Sequence, residues 1–337
     1  MRQHRSQYFI VVGVLLLAAT GLVRNRFAAG LRAADLLRGR FVVAGAPVSP
    51  ESFCPGGRSP NPNVVLCDNF EDNGFERRWD IGGHQGIWPT SQFVLCTDDR
   101  FGFHDRCAAW SNKLVFDREW GFYGYDGRRA FTPQSEFYVR WYQYIGDPFV
   151  WGTLEDKSVM LHDQANTLVG YVGTNRNHLP AVPDSGPGKP FVANYQDLDT
   201  PETGGLYNKV NRFQNQGRNI TLRPGNWYLF EWYVKLNDPG VSNGVTRLWI
   251  DDAGAPITKQ TLRMEYTDMR WLKARDSGKQ FGVVRLTVYH QRCEIARNTC
   301  PPYAPVVLPQ SQRWDQLVIS KSPIGPMSDA RVQTTTQ

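Results

Sequence analysis

The side chains best suited to moving protons or neutralising anions sit on runs that alternate with period two. Arg140, Tyr142 and Tyr144 share one face of Phe137–Ile145, and Arg285 and Tyr289 share one face of Val283–His290. Lys157 and His162 lie on the run KSVMLHD. Tyrosine and histidine can give and take protons, while Arg and Lys neutralise carboxylates. The same residues have plainer uses. An Arg beside tyrosines is equally a cation–π partner, and His162, on the face of Met160, is equally a hydrogen-bonded core histidine. His290 shares the parity of Val284, Leu286 and Val288, whereas Tyr289 falls opposite them; His84 and His104 fall in Gly- and Asp-rich loops. Trp88, Trp120 and Trp151 lie in Gly-rich stretches, where an indole could stack on a sugar ring.

Several other chemistries lack their patterns. A retaining glucanase of the E-x-D-x-x-E type needs two carboxylates about 5 Å apart on one strand face, and that spacing is missing. No Cys pair has the C-x₂-C spacing of a zinc site, and Gly121-Phe-Tyr-Gly124 lacks the spacing of a phosphate-cradling loop. The six cysteines instead form three sequence-local couples: Cys54 with Cys67, Cys96 with Cys107, and Cys293 with Cys300. An even count in an exported chain favours disulfides, with buried thiols as the alternative. Six cysteines allow about 15 connectivities, so pairing by proximity is an expectation.

Export is read from the N-terminus. Arg2 and Arg5 precede an apolar run from Tyr8 to Val23, shorter than the roughly 20 residues of a full membrane span. Residues 1–26 therefore read as a signal peptide or an uncleaved membrane anchor. Residues 27–63 read as a stalk and a Pro/Gly-rich linker, APVSPESFCPGGRSPNPN at its end. The expected location is extracellular or periplasmic, with the anchor as a membrane tether. The net charge of +6 lies wholly in residues 1–40, where seven Arg face one Asp. Beyond residue 40 the basic and acidic side chains are equal in number, so a globular part with no cationic surplus argues against nucleic acid as a partner.

These residues need strands to present them. In 227–236, Tyr228, Phe230, Trp232, Val234 and Leu236 alternate with Glu231, Tyr233 and Lys235; Leu248 with Ile250 and Val284 with Leu286 continue the pattern. Ser242-Asn243-Gly244 predicts a hairpin, Pro180–Gly205 reads as a loop insertion, and no sustained helical period follows residue 64. The fold class is all-β: an antiparallel two-sheet sandwich from 64 to 326, with a flexible tail over 327–337.

Four segments resemble the concanavalin A-like jelly roll of bacterial exported polysaccharide lyases. They are LCDNFED from Leu66, FYVRWY from Phe137, NWYLFEW from Asn226 followed by LWID from Leu248, and WDQLVISKSPIG from Trp314. The resemblance is to alginate and glucuronan lyases, and covers most of the exported part. It implies β-elimination at a uronic acid, in which a base removes the proton beside the carboxylate, an acid protonates the leaving oxygen, and a cation neutralises the carboxylate. The residues expected in those roles are Tyr289, His162, Arg140, Arg285 and Lys157, with Tyr142 and Tyr144 binding substrate.

The run YNKVNRFQN from Tyr207 is similar to an alginate-lyase strand Y-x-K-x-x-x-Y-x-Q. Tyr207 and Lys209 match and are expected to bind substrate, while Phe213 stands at the acting tyrosine and Asn215 at the glutamine. The resemblance also implies a structural calcium held by Glu71 and Asp315. No other cofactor is expected. Because this architecture serves several chemistries, two readings stand open: a lyase acting on a uronate polysaccharide, or a non-catalytic carbohydrate-binding or envelope protein. Oligomeric state is not legible.

Overall fold

The computed structural model describes residues 54, 57–71, 74–83, 93–97, 106–115, 122–147, 149, 151, 155–174, 188–194, 220–253, 260–291 and 307–327. Every described strand lies in the unit Pro47–Gln337. The N-terminal apolar run lies outside the described residues. Among those described, no helix is long and apolar enough to cross a membrane.

The described residues form fourteen strands. They are β1 (Val64–Asp68), β2 (Asp80–Gly83), β3 (Phe93–Thr97), β4 (Arg106–Val115), β5 (Phe122–Gln134), β6 (Glu136–Ile145) and β7 (Glu155–His162). There follow β8 (Val169–Thr174), β9 (Pro190–Asn194), β10 (Trp227–Lys235), β11 (Gly244–Asp252), β12 (Leu262–Met269), β13 (Phe281–Gln291) and β14 (Val307–Ser320). One short helix, α1 (Phe75–Arg78), interrupts them.

An eight-stranded sheet runs β12-β11-β10-β6-β14-β4-β3, with β1 also on β14, and a six-stranded sheet runs β2-β5-β13-β7-β8-β9. All pairings are antiparallel. The fold is a jelly-roll sandwich. β14 joins its first half to β4 and its second half to β1, with a break in register after Asp315 where Gln316 takes φ 52°.

The sheets meet on their oily faces. Phe137, Val139, Trp141, Phe230, Trp232, Val234, Leu248 and Ile250 come from the eight-stranded sheet. Val159, Leu161, Val172, Val192, Phe281, Val284 and Leu286 come from the six-stranded one. Trp141 stacks on Phe230 at 4.8 Å, and Phe137 meets Phe281 edge-on at 6.0 Å. Such aromatic pairs add about 0.5–1.5 kcal/mol each beyond the area they bury.

The core also holds partnered polar groups. Trp141 Nε1 donates to Gln143 Oε1 at 3.1 Å, Gln143 Nε2 to Gln312 Oε1 at 3.1 Å, and Ser158 Oγ to Gln143 Oε1. Trp151, a candidate sugar stacker, packs against this core and meets Phe149 edge-on at 4.6 Å.

The opening motif LCDNFED is a fastener. Asp68, wholly buried, accepts from Arg78 Nε and Nη2, Trp79 Nε1 and Arg129 Nη1, the last from β5 of the opposite sheet. Cys67 is bonded to Cys54 with an S–S length of 2.05 Å. The end of the expected linker is therefore tied to β1, and Gly57 O accepts from Arg129.

Two expectations change. The hairpin between β10 and β11 forms, but through residues 236–243 rather than a tight turn. Asn243 closes it, accepting from Asp238 N at 2.9 Å and donating to Asp238 Oδ2 at 2.8 Å. Pro180–Gly205, read as a loop, contains β9. All five residues of that strand are buried, so no alternation marks it, and its proline stands at the first position, where no ladder donor is needed.

Candidate functional site

The sandwich has two outward faces, and the candidates divide between them. On the eight-stranded sheet β6 carries Arg140, Tyr142 and Tyr144 outward, opposite core residues Val139 and Trp141. On the six-stranded sheet β7 and β13 carry Lys157, His162 and Arg285 outward, opposite core residues Leu161, Val284 and Leu286. The structure does not bring Arg140 and Tyr142 together with Arg285. A single groove formed by all of them does not exist, because a whole sandwich lies between.

On the eight-stranded face, Arg140 and Tyr142 are covered. The segment after β14 crosses them, and Glu231, the register partner of Arg140 on β10, accepts Ile324 N–H at 2.9 Å and Gly325 N–H at 2.8 Å. Gly325 bends with φ 76°, a conformation that glycine adopts without a Cβ clash. Arg140 donates to Gly325 O at 3.4 Å and Gln316 O at 3.3 Å, and Tyr142 Oη accepts Met327 N–H at 3.1 Å.

Burial pushes the Tyr142 phenol up and the Arg140 guanidinium down. Tyr144 packs with Trp227 at 5.5 Å, under Arg313 at 5.1 Å. Arg140 also lies over the Tyr142 ring at 5.8 Å. These residues fasten the chain's C-terminal segment, a use of Arg and Tyr that alternation alone does not reveal.

The six-stranded face is the candidate site. Arg285 and His162 are diagonal neighbours on β13 and β7, and Arg285 Nη1 lies 3.1 Å from His162 Nε2. Arginine only donates, so Nε2 is the acceptor and the imidazole proton sits on Nδ1. Burial, and after it the Arg285 guanidinium, hold the imidazole down at about 3. Arg128 stands opposite Arg285 on β5 and is exposed.

Lys157 lies over the Tyr171 ring at 5.0 Å and stands opposite Tyr289 in register. From Arg285 to Tyr289 is four residues of strand, about 13 Å. The side chain of Tyr289, and Tyr207, Lys209, Cys293, Cys300, Trp88, Trp120, His84 and His104 in full, lie outside the described residues. The face is not an open polar trough. Met160, Val169, Tyr171, Phe191 and Ala193 form a second apolar cluster on it, and Arg285, His162 and Lys157 are 8%, 3% and 4% exposed.

The resemblance implies Glu71 and Asp315 as calcium ligands. Asp315 is buried, and its Oδ1 already accepts Gln316 N–H at 2.7 Å. No group of three or more His, Cys, Asp or Glu that could hold a metal gathers among the described residues. Calcium takes about six to eight oxygens, backbone carbonyls and waters among them, of which Glu71 and Asp315 would supply the carboxylates.

Comparison with solved structures returns jelly-roll lyases. An alginate lyase, Aly36B, is 13% identical with a TM-score of 0.48, covering 79% of this chain and 99% of its own. An endo-β-1,4-glucuronan lyase from the fungus Trichoderma reesei is 8% identical with a TM-score of 0.47, covering 77% and 96%. A marine alginate lyase from Aplysia kurodai is 9% identical with a TM-score of 0.47, covering 77% and 98%. No protein-family model matches the chain, and no curated protein matches it. At such identities the likeness concerns fold.

Proposed function

We propose that this chain is an exported, polysaccharide-lyase-like protein that engages a uronate-containing polysaccharide on the outward face of its six-stranded sheet and cleaves it by β-elimination. The observation that carries the reading is the placement of two cations, Arg285 and Lys157, on one outward face, about four strand residues apart and beside a neutral imidazole. Two cations at two levels along the strands suit a polymer with repeated carboxylates better than a lone small anion.

In that reaction Arg285 neutralises the uronate carboxylate, which acidifies the adjacent C5–H. Tyr289, opposite Lys157, or His162 takes that proton; the C4–O bond breaks, a C4–C5 double bond forms, and the group that took the proton returns it to the leaving oxygen. One observation favours the second reading, a binding module without catalysis. His162 Nε2 is engaged by Arg285 and its pKa is about 3, so the imidazole is a weak base until the guanidinium turns to another anion.

The test incubates the exported protein with alginate, glucuronan and a neutral glucan, and records both binding and the absorbance of the unsaturated product. Cleavage of a uronate polymer, lowered about 100-fold or more in Arg285→Ala and Lys157→Ala, supports the lyase reading. Binding of uronate polymers without product, lost in the same variants, selects the module. Neither binding nor cleavage overturns both.

A further inference from the structure

The edge of the eight-stranded sheet brings two cysteines into register. Among the described residues β3 is the last strand on that side, and its register with β4 runs Phe93 to Trp110, Val94 to Ala109, Leu95 to Ala108, Cys96 to Cys107 and Thr97 to Arg106. Two cysteines thus stand directly opposite each other on neighbouring antiparallel strands. Opposed residues in such a pair have Cα atoms about 4.5–5.5 Å apart, inside the window of about 4.4–6.8 Å that disulfides span. The register is unbroken through both positions.

We propose that Cys96 and Cys107 are joined as a cross-strand disulfide that fixes the edge strand β3 in register. Three observations converge on it: the opposition of the two positions, the even number of cysteines, and the Cys54–Cys67 bond in the same chain. An edge strand with one neighbour is where a register slips and where foreign strands add. A bond across β3 and β4 prevents the slip, since a shift by one residue would separate the sulfurs.

Formation is an exchange. Each thiol gives up a proton, and the electron pair passes to the disulfide of a thiol–disulfide oxidoreductase in the exporting compartment. That partner leaves as a dithiol while the Cys96–Cys107 bond forms. The inference is independent of the proposed activity, since neither cysteine lies on the six-stranded sheet.

The sequence makes the test direct, because basic residues set every cysteine on its own tryptic peptide. Arg58 separates Cys54 from Cys67, Arg77 and Arg78 separate Cys67 from Cys96, and Arg100 and Arg106 separate Cys96 from Cys107. Lys113 is the first of many between Cys107 and Cys293, and Arg297 separates Cys293 from Cys300. The full chain, exported and purified without reductant, is alkylated while folded and after denaturation, digested without reduction, and its linked peptides identified by mass.

The expected result is a peptide 79–100 joined to 107–113, lighter by two hydrogens than the separate pair, with the Cys54–Cys67 link as internal standard. Alkylated thiols at 96 and 107, or a link from either to Cys293 or Cys300, overturn the proposal.

Discussion

His162 is held in one protonation state by what surrounds it. Its folded pKa of about 3 lies below the ordinary value of 6.5, because burial and the Arg285 charge both disfavour the imidazolium. The unfolded chain therefore binds a proton that the folded chain refuses between pH 6.5 and 3. Stability rises with pH across that window and is lost as pH falls, by an amount on the order of 4 kcal/mol from this group. Urea unfolding at pH 7 and pH 4 reads it: the midpoint drops at pH 4, and drops less in His162→Gln. Nitrogen shifts of the imidazole at pH 7 should show the proton on Nδ1. An unshifted, titrating His162 near 6.5 would remove the Arg285 contact from the account. The side-chain types here were legible in the sequence. The partnership of His162 with Arg285 was not, because it joins strands separated by more than a hundred residues.

At the scale of elements, periodicity told which residues share a face, and the core faces of β6, β10, β11 and β13 follow it. It did not tell which sheet each strand joins, so Arg140 and Arg285, both outward, stood in the sequence reading as members of one catalytic set. β8 and β9 escaped alternation because every residue in them is buried. In β8, Gly173 is there for space: a Cβ would lie 2.5 Å from the backbone oxygen of Asp156. The segment SKSPIG carried its meaning only with Glu231 beside it, since one carboxylate accepts two successive backbone N–H groups, a charge-assisted arrangement. Removing it in Glu231→Ala strands those donors and leaves Arg140 without its register partner. We expect about 2–4 kcal/mol of lost stability, and amide exchange at Ile324 and Gly325 faster by at least tenfold. Unchanged exchange there would show that Ile324, packed beside the Cys54–Cys67 bond, holds the segment alone.

For the whole molecule, the sandwich closes through its remotest parts. β1 pairs with the second half of β14, Asp68 facing Leu317 and Cys67 facing Val318, while Asp68 also reaches across to Arg129 on the other sheet. A chain ending at residue 306 lacks the strand that joins β1, β4 and β6, and is expected to be digested by a nonspecific protease under conditions where the full chain resists. Equal resistance would show that the remaining strands close without it. Contacts so distant along the chain also make folding slow.

The pairing of β1 with β14 sets an order of events in the cell. While the polypeptide is still being synthesised, its earliest strand waits some 250 positions for a mate, so no finished sandwich can form ahead of the ribosome's late output. A nascent chain with that delay keeps its sheets open until its last strand has emerged.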